Sequence, residues 1–118
     1  MTGLNDLPEN HNMFVHCVYF WLNDGVPEEQ RLALVNDCEG LLGEIPVVRH
    51  IWSGVPADRP REVVDSSYDV GLCVVFDDVE GHDLYQTHPK HEEFIKRYKQ
   101  HWKRVQIYDH QRVTPTAS

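Results

Sequence analysis

The sequence lacks the features that would assign it to a membrane or to nucleic acid. It has no run of about 18 consecutive apolar residues, so no membrane span is predicted. Its first residues have neither the basic start nor the apolar stretch of a signal peptide, which makes the cytoplasm the expected location. Lys and Arg number 11 against 19 Asp and Glu, a formal net charge of −8. We therefore expect no nucleic-acid partner, because phosphate recognition needs a basic surface.

Cysteine is also scarce, with three residues and no Cys-x-x-Cys pair. Cys17, Cys38 and Cys73 each lie in an apolar run, so we expect buried free thiols in a reducing compartment. A chain of 118 residues without internal repeats fits a single domain. The predicted organisation is a flexible leader at residues 1–12, one domain at 13–113 and a tail at 114–118.

Hydrophobic periodicity predicts the element order β-α-β-β-α-β, with the second helical segment broken in two. Asp77 and Glu80 have the spacing of a helix cap, and Pro89 suits a first helical turn. The order indicates a ferredoxin-like α+β fold, in which one face of a four-stranded antiparallel sheet is covered by helices. The predicted strands are 14–22, 47–55, 68–76 and 105–113, and the predicted helices are 27–43, 77–85 and 89–102.

The first strand is apolar on both faces. A sheet with one wet face should alternate apolar and polar residues, so the second face needs its own cover. Pairing of two chains through a two-fold axis supplies it, which predicts a homodimer. The alternative is a monomer that leaves its aromatic residues half-exposed. One predicted face carries Phe14, His16, Val18, Phe20 and Leu22, and the other carries Val15, Cys17, Tyr19 and Trp21.

Three of the polar side chains are candidates for chemistry. His91 falls on the helical stripe of Phe94, and His16 shares a strand face with Val18. If that face meets the helices, both imidazoles and the Tyr85 hydroxyl converge in one partly apolar pocket. A neutral imidazole there can take or give a proton near pH 7, and a tyrosine can polarise a carbonyl. The structural alternative is a hydrogen-bonded core histidine at 16 and a helix-start residue at 91.

These residues also resemble those of a known family. His16 on the first strand, the IPVV of 45–48, the Tyr-Asp of 68–69 and the HPKHEEF of 88–94 are similar to the stress-responsive dimeric α/β-barrel (Dabb) domain family, over about residues 14–112. The resemblance implies a homodimer whose two sheets form a barrel, with a cavity between sheet and helices in each subunit. The family includes stress-induced plant proteins and olivetolic acid cyclase, a cofactor-free polyketide cyclase.

The resemblance also implies roles for individual residues. Tyr85 and His91 match the pair that assists aldol closure in the cyclase, and His16 matches its strand-one histidine. Val70 and Cys38 stand where the cyclase has a histidine and a tyrosine, which indicates a different substrate. Pattern and resemblance together predict a pocket lined by Val18, Phe20, Cys38, Val70, Leu72, Phe94, Trp102 and Ile107.

Three functions remain open from the sequence. The first is a cofactor-independent enzyme, cyclase- or lyase-like, in which His91 is the base, Tyr85 a donor and His16 a second polar group. The second is a non-catalytic, stress-protective protein that binds a small hydrophobic or aromatic ligand in the same pocket. The third is a metal site of His88, His91 and Glu92, but no second ligand pair accompanies it, and we expect neither metal nor cofactor. The polar loop at 56–66 either closes over the pocket or only links two strands.

Overall fold

The computed structural model describes residues 12–114 of the chain. The predicted leader and tail therefore lie outside the described residues, apart from Asn12 and Thr114. The strands are β1 (Phe14–Leu22), β2 (Val48–Gly54), β3 (Val70–Phe76) and β4 (Trp102–Gln111). The α-helices are α1 (Glu28–Gly40), α2 (Val79–Thr87) and α3 (Pro89–Tyr98), and short 3₁₀ turns span Leu42–Glu44 and Lys99–His101.

All four strands belong to one antiparallel sheet in the order β2-β3-β1-β4. β1 lies between β3 and β4, so His16 has Val74 on one side and Asp109 on the other. Cys17 lies directly opposite Cys73. The element order and strand pairing confirm the predicted ferredoxin-like α+β class.

The hydrophobic core lies between the sheet and the helices. Alternate residues of β1 from His16 to Leu22 are buried, and the residues between them are half-buried. β-Branched and aromatic side chains suit such a pleated surface, which explains why these runs form strands. The buried members of this core from the other elements are Leu34, Cys38, Leu42, Ile45, Val70, Leu72, Val74, Phe76, Tyr85, Phe94 and Tyr98.

Several predicted boundaries were wrong, including the start of β3, which lies at Val70 instead of Tyr68. Asp78 rather than Asp77 caps α2, because its carboxylate accepts the Gly81 backbone N–H at 2.8 Å, whereas Asp77 accepts two hydrogen bonds from Arg49. Helix α1 ends at Gly40, earlier than predicted. Trp102 begins β4 instead of ending α3, because pairing opposite Leu22 takes precedence over its helical spacing from Tyr98.

The burial of each cysteine depends on which side of the sheet it lies. All three cysteines are free; Cys38 is buried as predicted, but Cys17 and Cys73 are half-buried because they lie on the face without helices. Residues of the 56–66 loop are exposed apart from Pro56. None of the helices in residues 12–114 is long and apolar enough to cross a membrane.

Candidate functional site

A cavity of about 140 Å³ lies between the sheet and the helices α2 and α3. The 56–66 loop contributes nothing to its lining. Cys38 and Val70, predicted as wall residues, do not line it either, because both are completely enclosed in the core. Leu42, Ile95 and Val105 line it although they were not predicted. The predicted wall residues that do line it are Val18, Phe20, Leu72, Phe94, Trp102 and Ile107.

The three candidate reactive side chains all line this cavity. The ring centroids of His16 and Tyr85 are 6.0 Å apart, and those of Tyr85 and His91 are 4.9 Å apart. Each comes from a different element, with His16 on the buried face of β1, Tyr85 on α2 and His91 in the first turn of α3. The structure therefore brings His16 together with Tyr85 and His91, which lie far from it in the sequence, in a cavity with mostly apolar walls.

His16 is held in one orientation by Asp109. Its Nδ1 lies 2.6 Å from Oδ1 of Asp109, and the residue is only 3% exposed. Burial lowers the pKa of His16 below 6.5, although the Asp109 carboxylate acts in the opposite direction. The imidazole is therefore neutral at pH 7. Since a carboxylate can only accept, Nδ1 carries the proton and Nε2 keeps its lone pair.

Tyr85 and His91 have complementary protonation states. Tyr85 is 1% exposed, and burial raises the pKa of its phenol well above 10, so it remains a hydrogen-bond donor. Burial also lowers the pKa of His91 below 6.5, and the nearby His16 and His82 add to the shift. At pH 7 the cavity thus has a neutral base beside a protonated phenol.

Two neighbours of His16 were missed from the sequence. His82 was counted among ordinary polar positions, but its ring stacks on Phe14 at 4.4 Å and lies 5.0 Å from the His16 ring. His82 lies three residues before Tyr85, which places both side chains on one face of α2, and this spacing could have indicated its position near the cavity. Asp109 was also missed, although alternation along β4 places it on the same face as Ile107.

The alternative metal set of His88, His91 and Glu92 is not among the groups of potential metal ligands found in residues 12–114. His88 instead caps α3, and its Nδ1 accepts the Lys90 backbone N–H at 3.1 Å. Within the described part of the chain, the set whose donor atoms suit a metal ion is His16, His82 and Asp109, all within 4.8 Å of one another. Two of these donors are already hydrogen-bonded to each other, and we assign no ion to them.

A larger and more open groove, of about 620 Å³, lies between β2 and the start of α2. Three of its charged side chains are engaged within the protein, since Arg49 pairs with Asp77 and Asp78 caps α2. The smaller cavity is therefore the better candidate for chemistry.

The sheet face opposite the helices is aromatic. Tyr19 packs against Tyr68 at 4.8 Å and Tyr108 at 6.2 Å between ring centroids. Trp52 and Tyr108 remain 57% and 62% exposed. No helix within residues 12–114 covers this aromatic face, and its large apolar side chains are partly exposed.

Comparison with known proteins assigns the sequence to one family. The family model described as Stress Responsive A/B Barrel Domain matches residues 14–111. A solved protein from Bacteroides fragilis, described as dimeric and ferredoxin-like, is 27% identical with a TM-score of 0.64, and the match covers 84% of this chain and 95% of that one. A Dabb family protein from Mesorhizobium loti with a ferredoxin-like fold is 25% identical, with a TM-score of 0.66 and coverages of 90% and 99%.

A third solved structure shares the fold at lower identity. Hydroxynitrile lyase from Passiflora edulis is 15% identical with a TM-score of 0.74, and the match covers 91% of this chain and 99% of the lyase. At that identity the likeness shows the fold alone. Among curated proteins, none matches the sequence significantly.

Proposed function

The chain belongs to the Stress Responsive A/B Barrel Domain family, and on this premise we propose that it is a homodimeric, cofactor-independent enzyme. It transfers a proton on a small carbonyl or aromatic compound held in the cavity between sheet and helices. One observation carries the proposal: a neutral imidazole and a protonated phenol, on His91 and Tyr85, border the same cavity with their rings 4.9 Å apart.

Each group has a defined role in this chemistry. The neutral His91 ring takes a proton from the bound compound, and the Tyr85 hydroxyl donates a hydrogen bond to the oxygen on which negative charge develops. His16, fixed by Asp109, presents the lone pair of Nε2 as a second polar contact. The apolar floor excludes water, which strengthens these hydrogen bonds. General-base assistance of this kind contributes roughly 10²- to 10⁴-fold to the rate.

The aromatic face supports the homodimer. Its large side chains lie on the side of the sheet that the helices do not cover. Monomers rarely expose such a continuous apolar surface. Pairing of two copies about a two-fold axis would bury roughly 800 Å² per protomer. The relative from Bacteroides fragilis, at 27% identity, is described as dimeric.

The size of the cavity and one neighbour suggest the first compounds to test. An apolar cavity of about 150 Å³ accommodates a benzene ring, so the cavity of about 140 Å³ limits the compounds to those with a single aromatic ring. The neighbour from Passiflora edulis is a hydroxynitrile lyase, which makes mandelonitrile a reasonable candidate. Its cleavage to benzaldehyde and hydrogen cyanide begins with removal of the hydroxyl proton, a step that His91 could perform.

The test compares turnover of a panel of aromatic ketones, aldehydes and mandelonitrile by the wild-type protein and by His91→Gln. We expect product formation to fall by about 10²-fold or more in the variant, with little change in melting temperature. His101→Gln is the matched control, because His101 does not line the cavity, and it should retain full activity. Compounds that bind in the cavity but are never converted would overturn the catalytic proposal and favour a binding protein. Equal activity of His91→Gln would overturn the assigned role of His91.

A further inference from the structure

We propose that Cys17 and Cys73 form a redox-active thiol pair, which a small disulfide such as oxidised glutathione converts to an intramolecular disulfide between β1 and β3. The pair lies on the opposite side of the sheet from the cavity and does not depend on the chemistry proposed there. In the reaction, one protein thiolate attacks the glutathione disulfide, forms a mixed disulfide and releases one glutathione. The second protein thiolate attacks the protein sulfur of the mixed disulfide and releases the other glutathione, so two glutathione thiols form for each protein disulfide.

The two cysteines face each other across the two central strands of the sheet. Cys17 on β1 pairs directly with Cys73 on β3, and both thiols are free and half-buried. Directly opposite residues of an antiparallel pair project from the same side of the sheet. Both thiols therefore lie on the aromatic face. Trp52 and Tyr108 complete the same row, since Trp52 pairs with Cys73 and Tyr108 pairs with Cys17.

The backbone hydrogen bonds show which type of pair the cysteines form. Along a strand, the N–H and C=O groups of successive residues point alternately to the two neighbouring strands. The Arg112 N–H donates to the Met13 carbonyl oxygen at 2.7 Å, so the odd-numbered residues at this end of β1 direct their backbone groups toward β4. The Phe20 carbonyl oxygen instead accepts the N–H of Asp69, just before β3, at 2.8 Å. Cys17 therefore turns its backbone groups away from β3 and forms a non-hydrogen-bonded pair with the cysteine opposite.

A non-hydrogen-bonded pair is the position in an antiparallel sheet where opposite side chains come closest. Its two Cα atoms lie about 4.5 Å apart, and disulfides join Cα atoms that are about 4.4 to 6.8 Å apart. The bond between Cys17 and Cys73 can therefore form without separation of the strands.

The surroundings of the pair control how fast it reacts. Burial raises the pKa of Cys73 to about 11, and the neighbouring Cys17 thiol adds to the shift. Because the thiolate is the attacking form, oxidation should be slow at pH 7 and faster at higher pH. The proposed homodimer would also cover this face, so the oxidant should reach the pair when the protomers separate. The equilibrium between dithiol and disulfide in a glutathione buffer does not depend on either rate.

Equilibration with reduced and oxidised glutathione tests the inference. The wild-type protein is incubated to equilibrium at about pH 8.5, where thiol exchange is faster, then quenched with acid and measured by intact mass and peptide mapping. We expect the chain to lose two of its three free thiols as the share of oxidised glutathione increases. The mapped disulfide should join Cys17 to Cys73 within one chain.

Three variants complete the design. Cys17→Ser and Cys73→Ser should form no intramolecular disulfide and should instead carry one glutathione or stay reduced. Cys38→Ala is the matched control, because Cys38 is enclosed in the core, and it should form the disulfide as the wild type does.

The peptide map of the wild-type protein decides the matter even if a serine variant folds poorly. A wild-type chain that stays reduced in every buffer, or that carries glutathione without closing the disulfide, would overturn the inference. A disulfide that includes Cys38 or that joins two chains would also overturn it. None of these outcomes bears on the activity of His91 in the cavity, which is tested separately.

Discussion

Replacement of Trp52 by serine should dissociate the proposed homodimer. Trp52 lies on the aromatic face, is 57% exposed in the single chain, and pairs across the sheet with Cys73. A large aromatic side chain offers about 200 Å² of surface, so its exposed part corresponds to roughly 115 Å². Burial of that area in an interface stabilises the complex by about 3 kcal/mol at 25 cal/mol per Å².

The two-fold symmetry doubles the effect. Each substitution occurs once in each protomer, so Trp52→Ser should remove up to about 6 kcal/mol from the dissociation free energy. This corresponds to an increase of roughly 10⁴-fold in the dimer dissociation constant. A wild-type dimer that is stable at nanomolar concentration would then dissociate at micromolar concentration.

Sedimentation velocity across a dilution series measures this change directly. Leu84→Ser is the matched control, because Leu84 is 61% exposed but lies on α2, in the helix layer away from the aromatic face. We expect the control to sediment as the wild type does. A wild-type protein that is monomeric at micromolar concentration, or a Trp52→Ser variant with an unchanged dissociation constant, would refute the assignment of this face to self-association.

Two further predictions concern pH. The rate constant kcat/KM should rise as the pH increases through the pKa of His91, which burial holds below 6.5. It should then stay level to about pH 9, because burial raises the pKa of Tyr85 above 10. A rate that falls as the pH rises from 5 to 7 would contradict the role of His91 as base. The free energy of unfolding should decrease as the pH is lowered from about 7, since the pKa of His16 in the folded chain lies below the 6.5 of the unfolded chain, so the unfolded chain binds this proton first. Urea denaturation at pH 7 and pH 5.5 measures this loss, and equal stability at the two values would show that His16 titrates normally.

The sheet and its two faces could be predicted because the strands follow a period of two. The run from Phe14 to Leu22 placed His16 and Phe20 on one face and Tyr19 on the other, and both assignments agree with the burial in the structure. Trp102 was misassigned because its spacing of four from Tyr98 imitates a helical stripe, whereas its true conformation depends on pairing with a strand 80 residues earlier in the chain.

The site was only partly predictable for a related reason. An apolar residue that borders a cavity has the same sequence pattern as one that fills the core, so Cys38 and Val70 could not be separated from true wall residues. The contact of Asp109 with His16 spans 93 residues and depends on strand register. The role of His82 depends on the packing of α2 against Phe14; its spacing from Tyr85 places it on the right helix face but does not itself predict this packing.

The central claim, that the cavity moves protons on small carbonyl compounds, can be tested without knowledge of the natural substrate. In D₂O, ¹H NMR follows loss of the methyl protons of acetophenone, which exchange only when a base removes a proton next to the carbonyl. We predict that the wild-type protein accelerates this exchange and that His91→Gln reduces the acceleration by about 10²-fold or more. Exchange no faster than in buffer, with acetophenone shown to occupy the cavity, would contradict the claim.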